Sequence, residues 1–251
     1  MYLTIELLSL PLYGLASIKS RSLLSTEAGL KYFILGAVAL GLFLFGASLI
    51  YGFTGLYRFE DLAQMFTYVP AVVDLSNIGE LQVQSIAVTV GLAFITMTLL
   101  FKITAAPFHM WAPDVYEGAP TSITAFFAIV PKIALLGLLL RLMYEPFYEF
   151  IVSWQNILFL SALTSLVIGA FSALAQTKLK RLFAYSSISH CGYMLIGIVC
   201  GTLEGLEGTM LYIFLYIIMS INVFSFLLAL RVQGNLTTLA EVYTTESQGG
   251  K

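Results

Sequence analysis

TSITAFFAIVPKIALLGLLL, residues 121–140, is long enough to cross a lipid bilayer as one helix and carries a single charge, Lys132, near its middle. A span needs about 20 mostly apolar residues. An ammonium at that depth costs roughly 2.5–3.5 kcal/mol on insertion scales, so intramembrane charges default to function. Pro131 stands directly before the lysine. It has no N–H to offer Phe127, and its ring crowds that turn. The freed carbonyl then needs protein or trapped water as a partner, because lipid offers none. A buried lysine beside such a defect is the pattern of a proton or ion path inside a membrane. The competing reading is a lysine hydrogen-bonded to a neighbouring helix for packing alone.

Outward from this stretch the chain keeps the same character. It is 59% hydrophobic and 10% charged, with a mean hydropathy of +0.91, whereas soluble domains carry about 25% charged residues. Seven segments are long and apolar enough to span: 1–18, 29–53, 83–112 with an interruption, 121–141, 150–175, 182–203 and 206–230. The first barely reaches across. The expected fold is an all-α polytopic membrane protein with about seven transmembrane helices, one of them interrupted. Its helical domain covers 1–233 and a polar C-terminal tail covers 234–251. Within the tail 236–242 could begin a further element, and 244–251 reads as disordered. The connection 53–82 is the one long loop, with Pro70 and an Asn77-Ile78-Gly79 turn signal. Gly36, Gly41, Gly46 and Gly52 read as small residues that let helices approach closely.

Lysine and arginine in the short loops set the orientation. Lys19, Arg21 and Lys31, then Lys178, Lys180 and Arg181, then Arg231 fall on one side if every segment crosses once. The other side carries Glu60, Asp61, Asp74, Glu80, Glu145, Glu149, Glu204 and Glu207 against only Arg58 and Arg141. The basic side is the inner one, matrix or cytoplasm, and the N-terminus is outer.

Several chemistries find no support. The net charge of −2 offers nothing to nucleic acid, and Met1 opens into Tyr2-Leu3-Thr4-Ile5-Glu6 without the basic region of a cleavable signal. Cys191 and Cys200 lie nine residues apart on one predicted helix, which puts them on opposite faces and forbids a disulfide between them. There is no CxxC, no Gly-rich phosphate loop and no Cys/His cluster, so no metal, iron–sulfur, flavin or nucleotide site is expected. Electron transfer is not expected of this chain.

The interrupted segment ends in Lys102-Ile103-Thr104-Ala105-Ala106-Pro107-Phe108-His109-Met110-Trp111. In one reading a helix beginning near Leu81 has already crossed by Lys102, and the lysine snorkels to the inner interface. In the other the helix starts later, Pro107 breaks it, and a half-helix to Trp111 completes the crossing around a cavity. Hydropathy leaves both open. His109 lies two turns after Lys102 and would share its face if the helix continued; near a break it could relay protons. A bis-histidine haem on His109 and His190 is the weakest reading. His190, which follows Ser186-Ser187-Ile188-Ser189, reads better as a packing histidine satisfied by a hydroxyl.

KITAAPFHMWAPDVYEGAPT at 102–121 resembles the signature of the antiporter-like subunits of respiratory complex I, which are also similar to the large subunits of multisubunit sodium/proton antiporters. YLTIELLSL at 2–10, STEAGLKYFILGA at 25–37 and AYSSISHCGY at 184–193 resemble the subunit 2 branch of NADH dehydrogenase, and PKIALL at 131–136 its mitochondrial form. The resemblance runs from residue 2 to about 230. It implies two inverted five-helix repeats within about fourteen helices, a glutamate matching Glu6, a lysine in a broken helix matching Lys102, and a bridging lysine matching Lys132. It thereby favours a buried Lys102 over a snorkelling one. It also implies that four preceding helices and a twelfth helix with another ionisable residue are not in this stretch, as in a split or truncated subunit.

The function implied is proton translocation driven by NADH:quinone electron transfer, through a relay of Glu6, Lys102 and Lys132, with His109 as a side entrance and Pro107 and Pro131 as structural breaks. NADH, FMN, iron–sulfur clusters and ubiquinone are expected in other subunits. The partners expected are other membrane-arm subunits, lipids and a separate chain supplying the missing C-terminal helices; the location is the mitochondrial inner membrane, or otherwise a bacterial plasma or plastid membrane. The alternatives are a sodium/proton antiporter subunit and a structural coupling subunit that moves no ion.

Overall fold

Backbone polar groups at membrane depth must be satisfied within the protein, and long apolar stretches meet that demand as helices. A computed structural model describes residues 1–19, 22–68 and 78–233. Their elements are α1 (Tyr2–Ala16), α2 (Leu23–Thr54), α3 (Phe59–Tyr68), α4 (Ile78–Lys102), α5 (Trp111–Gly118), α6 (Thr121–Tyr144), α7 (Ile151–Leu174), α8 (Leu179–Val199) and α9 (Leu203–Gln233), with a 3-10 turn at Tyr148–Phe150. Six helices are long and apolar enough to cross a membrane, and α1 is a shorter apolar helix. Arg21, Pro70, Asp74, Asn77 and the polar tail lie outside the described residues, as do the side chains of Glu80 and Arg231.

Two expectations need correction. The 53–82 connection is not simply a loop, because it contains α3. Leu62 and Phe66 are buried, and Phe66 packs on Phe147 and Phe150 with ring centroids 5.8 and 5.0 Å apart. Phe59, Leu62 and Phe66 follow i, i+3, i+7 spacing, but Glu60 and Asp61 hide it from a search for uniformly apolar spans. Ile78 and Gly79, read as part of a turn, instead open α4.

Polar contacts agree with the expected grouping of the loops. Lys31 at the start of α2 pairs with Asp114 of α5 at 2.8 Å, and Arg181 of α8 joins both Asp114 and Glu117, the latter at 2.9 Å. Lys178 also pairs with Glu117. At the opposite ends Arg141 bonds Glu145 at 2.8 Å and lies 5.7 Å from the Phe59 ring. Gln155 of α7 donates to the Val199 carbonyl of α8 at 2.8 Å, also on that side.

Of the four glycines, Gly36 and Gly46 sit in close helix contacts, the second against Gly91 of α4. A Cβ on Gly46 would sit 2.6 Å from the Gly91 carbonyl oxygen of α4, and one on Gly91 would sit 2.8 Å from the Gly46 carbonyl oxygen. Neither backbone can yield without separating α2 from α4. At Gly41 and Gly52 nothing lies within 4 Å. Gly46→Ala is therefore expected to destabilise the protein by about 1–3 kcal/mol, the usual cost of overpacking. Gly41→Ala should leave stability unchanged or slightly raised, since alanine is the better helix former. Thermal unfolding of both variants in the same detergent or lipid checks the contrast.

Candidate functional site

The chain leaves the helical path at Lys102. Ala105 N–H bonds the Leu100 carbonyl at 2.9 Å and Thr104 N–H bonds the Phe101 carbonyl at 3.2 Å. These are the paired bonds of a Schellman cap, which places Thr104 at the position usually given to glycine. Thr104 accordingly has φ of 67°, a left-handed conformation that a β-branched residue adopts only under strain. The helix thus stops five residues before Pro107. The interruption falls between Lys102 and Pro107 as expected, but no half-helix leads up to Trp111; that residue opens α5.

The broken backbone is satisfied from neighbouring helices. Pro107 has no N–H for the Ile103 carbonyl, and the Cys191 thiol of α8 donates to that carbonyl at 3.0 Å. Ala106 N–H donates to Ser165 Oγ at 2.8 Å, while the Ala106 carbonyl accepts from Ser161 Oγ at 2.7 Å and Thr164 Oγ1 at 3.2 Å. Three hydroxyls of α7 and one thiol of α8 therefore substitute for the missing helix bonds. Trp111 secures the far side, donating Nε1–H to the Phe101 carbonyl at 2.9 Å and stacking on Tyr32 with centroids 4.4 Å apart.

Lys102 is 4% exposed, and its ammonium donates to Ser9 Oγ at 2.6 Å and to the Tyr13 hydroxyl at 3.0 Å, both on α1. It does not snorkel, although α4 begins even earlier than the snorkelling reading assumed. The Tyr13 hydroxyl reaches it because Gly36 has no side chain: a Cβ there would lie 2.1 Å from that oxygen. Glu6 shares the α1 face of Ser9 and Tyr13 by its i, i+3, i+7 spacing. Among the described residues no ion pair joins it to Lys102.

Lys132 is 1% exposed and donates to Ser187 Oγ at 3.1 Å and Cys191 Sγ at 3.5 Å, both on α8. Around it α6 runs unbroken through Pro131. The Tyr216 hydroxyl of α9 donates to the Ala128 carbonyl at 3.1 Å, one residue along from the carbonyl that Pro131 frees. His109 is half-buried, and its Nδ1 has no hydrogen-bond partner among the described residues. With α4 ended, it no longer shares a helical face with Lys102. His190 Nδ1 lies 2.8 Å from the Tyr212 hydroxyl, as expected of a hydroxyl-satisfied packing histidine. Cys191 is buried and Cys200 exposed, both free.

Sequence reasoning did not single out Ser9, Tyr13, Ser187 or Cys191 as partners of the lysines. The signal was helical spacing: Ser9 and Tyr13 fall on the Glu6 face, and Ser187 and Cys191 lie four apart.

Residues 1–244 match the family described as NADH:quinone oxidoreductase/Mrp antiporter, TM. The chain belongs to that family. It is 52% identical over 231 residues to NADH-ubiquinone oxidoreductase chain 2 of Marchantia polymorpha, covering 92% of this chain and 45% of the relative. To NADH-quinone oxidoreductase subunit N of Rhodospirillum rubrum it is 48% identical over 234 residues, covering 93% of this chain and 46% of the relative. A chain of respiratory complex I from Thermus thermophilus with bound aureothin superposes with a TM-score of 0.69 at 36% identity, covering 90% of this chain and 45% of that one. A chain of the Mrp complex from Dietzia superposes with a TM-score of 0.74 at 22% identity, covering 89% and 39% respectively, a likeness of fold alone. The chain spans about half the length of the curated relatives it matches.

The strained cap of this family member makes a prediction. Thr104→Gly removes left-handed strain of about 1–2 kcal/mol and adds unfolded-chain entropy worth roughly 0.4–1 kcal/mol. Net stability should therefore be unchanged or up by about 1 kcal/mol. Thr104→Val keeps the strain and loses the hydroxyl, so it should be the less stable of the two. Thermal unfolding of the pair reads the difference.

Proposed function

We propose that this chain is part of a proton-translocating, non-redox membrane subunit of an NADH:quinone oxidoreductase, with Glu6, Lys102 and Lys132 forming its relay. The observation that carries this reading is how the two lysines are held. Each is almost wholly buried, and each is hydrogen-bonded to neutral groups rather than paired with a carboxylate. Hydroxyls both donate and accept, so the same partners serve an ammonium and a free amine. A buried salt bridge would instead hold the proton in place, because separating it leaves an uncompensated charge.

In this reading Glu6, on the α1 face that carries Ser9 and Tyr13, moves toward Lys102. Its carboxylate stabilises the ammonium when near, and its withdrawal leaves desolvation to favour release. The proton then passes to Lys132 past the break in α4. His109, with a ring nitrogen that lacks a partner, is the side entrance. In this reading the next acceptor after Lys132 is supplied by a separate chain.

NADH, FMN, iron–sulfur clusters and ubiquinone are assigned to other subunits, and the chain's neighbours to further membrane-arm subunits and lipid. The 52% identity to a ubiquinone-type chain 2 supports a mitochondrial inner membrane, with a bacterial plasma membrane as the alternative. The matched family also takes in Mrp antiporters, which supports a second reading as a sodium/proton antiporter subunit. That reading requires sodium-dependent proton exchange without NADH.

Two measurements test the relay. Lys132→Met keeps volume and removes charge, so the enzyme should assemble and oxidise NADH with fewer protons moved per electron. An unchanged stoichiometry in the assembled enzyme takes Lys132 out of the path. For the other pair, Glu6→Gln and Lys102→Met should couple in a double-mutant cycle by about 1–3 kcal/mol in assembly stability or activation energy. Strict additivity would mean that the two side chains never meet.

A further inference from the structure

The geometry points to Cys191 as a positioning residue that couples the charge on Lys132 to the break in α4 beside Lys102. This rests on Lys132 belonging to the proton route. Cys191 is fully buried, and its sulfur touches three groups from two other helical segments. Its single proton goes to the Ile103 carbonyl at 3.0 Å, the acceptor that Pro107 leaves without a helix bond. Its lone pairs accept from the Lys132 ammonium at 3.5 Å. The Thr104 hydroxyl lies 3.9 Å away on the strained residue of the cap.

The other partner of Lys132 is arranged in the same way. Ser187 donates its own proton to the Ala184 carbonyl at 2.8 Å and leaves its oxygen to accept from the lysine. Both α8 groups thus present acceptors to Lys132 while their protons are engaged elsewhere, the arrangement an ammonium requires.

Once Lys132 gives up its proton, the amine becomes an acceptor and the two partners face it with lone pairs. The thiol resolves this by rotating its S–H from the Ile103 carbonyl to the amine nitrogen. No covalent bond breaks, since only the S–H direction changes. The Ile103 carbonyl is then without its donor at the residue following Lys102. Leaving a buried carbonyl unpaired is unfavourable, so loss of charge at Lys132 loosens the cap that positions Lys102. In the reverse direction, a cap that holds the thiol on Ile103 favours the protonated lysine. Cys191 thereby makes the two lysines sense each other without direct contact.

Other titratable groups surround Lys132: His190 on α8, Tyr116 on α5 and Tyr216 on α9. Tyr216 is engaged with the Ala128 carbonyl and His190 with Tyr212. The Tyr116 hydroxyl is buried without a partner among the described residues, and no hydrogen bond connects it to Lys132. Cys191 is the group that touches both the lysine and the break.

The test uses the assembled enzyme. The S–H stretching band of Cys191 is identified in the infrared by its loss in Cys191→Ser. In the wild type it should move to lower frequency during NADH turnover relative to the resting enzyme, because an amine is the stronger acceptor; Lys132→Met should abolish that movement. A band that stays fixed in the wild type, or still moves in Lys132→Met, overturns the inference. In pumping assays Cys191→Ser should keep the proton-to-electron stoichiometry, because a hydroxyl also donates and accepts. Cys191→Val should lower the pumping rate about three- to tenfold, the scale of losing one hydrogen bond between neutral groups. If Lys132→Met lowers stoichiometry and Cys191→Val leaves the pumping rate unchanged, the coupling is wrong while the relay stands. If Lys132→Met changes nothing, the relay itself falls. Should Cys191→Val not assemble, Cys191→Ala replaces it. Should neither assemble, the infrared comparison decides, since it needs only the wild type, Cys191→Ser and Lys132→Met.

Discussion

The Ile103 and Ala106 carbonyls and the Ala106 N–H sit where lipid and helix both fail to bond them, and satisfying them constrains much of the surrounding structure. An unpaired peptide group at membrane depth costs several kcal/mol. Ser161, Thr164 and Ser165 of α7 and Cys191 of α8 must therefore lie against the break. That requirement brings α7 and α8 together, and it is helped by Gly169, where a Cβ would lie 2.2 Å from Ser189 Oγ. Placing α8 there presents Ser187 and Cys191 to Lys132 of α6. The break and the second lysine are consequences of one packing arrangement.

The first lysine depends on a different contact, between α1 and α2. Lys102 ends α4 facing inward, so its ammonium needs polar atoms from a helix that approaches closely. The fifteen-residue α1 supplies them through Ser9 and Tyr13. Tyr13 fits only because Gly36 gives up the space its own side chain would take. The close approach of α2 to α4 at Gly46 and Gly91 keeps the same helices in register farther along. Glycines that seemed to serve packing alone thus divide by position: Gly36 shapes the lysine site, Gly46 sets a helix distance, and Gly41 and Gly52 touch nothing nearby.

How much of this was legible follows from the kind of signal each feature leaves. Span number and the sidedness of charge are additive properties of residues, so hydropathy located α6 to α9 to within about four residues, while α2 and α4 begin about six and five residues earlier than expected. The buried lysines were legible because an ammonium in an apolar run is itself the anomaly. The end of α4 was harder. Pro107 announces a break, but the helix stops earlier, at a cap built on Thr104, and threonine is not the residue that normally marks a left-handed position. The helix α3 was hidden by two acidic residues on its exposed face. Partners across helices, such as Cys191 for Ile103, leave no sequence trace beyond spacing, because contact between segments 88 residues apart is decided by packing.

Family membership and site geometry answer different questions here. The match over residues 1–244 accounts for the fold. It does not say why two ammonium groups are tolerated a few helices apart in a buried interior. Electrostatics gives that reason. A buried charge needs either a counter-charge or several dipoles oriented toward it, and dipoles can reorient in place when the charge leaves. This chain uses a serine and a tyrosine hydroxyl for Lys102, and a serine hydroxyl and a thiol for Lys132. Among the described residues the carboxylates Asp114, Glu117, Glu27 and Glu145 bind basic residues near the helix ends, within reach of solvent. Fixed pairs brace the ends of the bundle, while its middle holds lysines bonded to groups that can reorient. A protein built only for stability would have no reason to separate the two in this way, since apolar residues at 102 and 132 would remove the desolvation cost altogether.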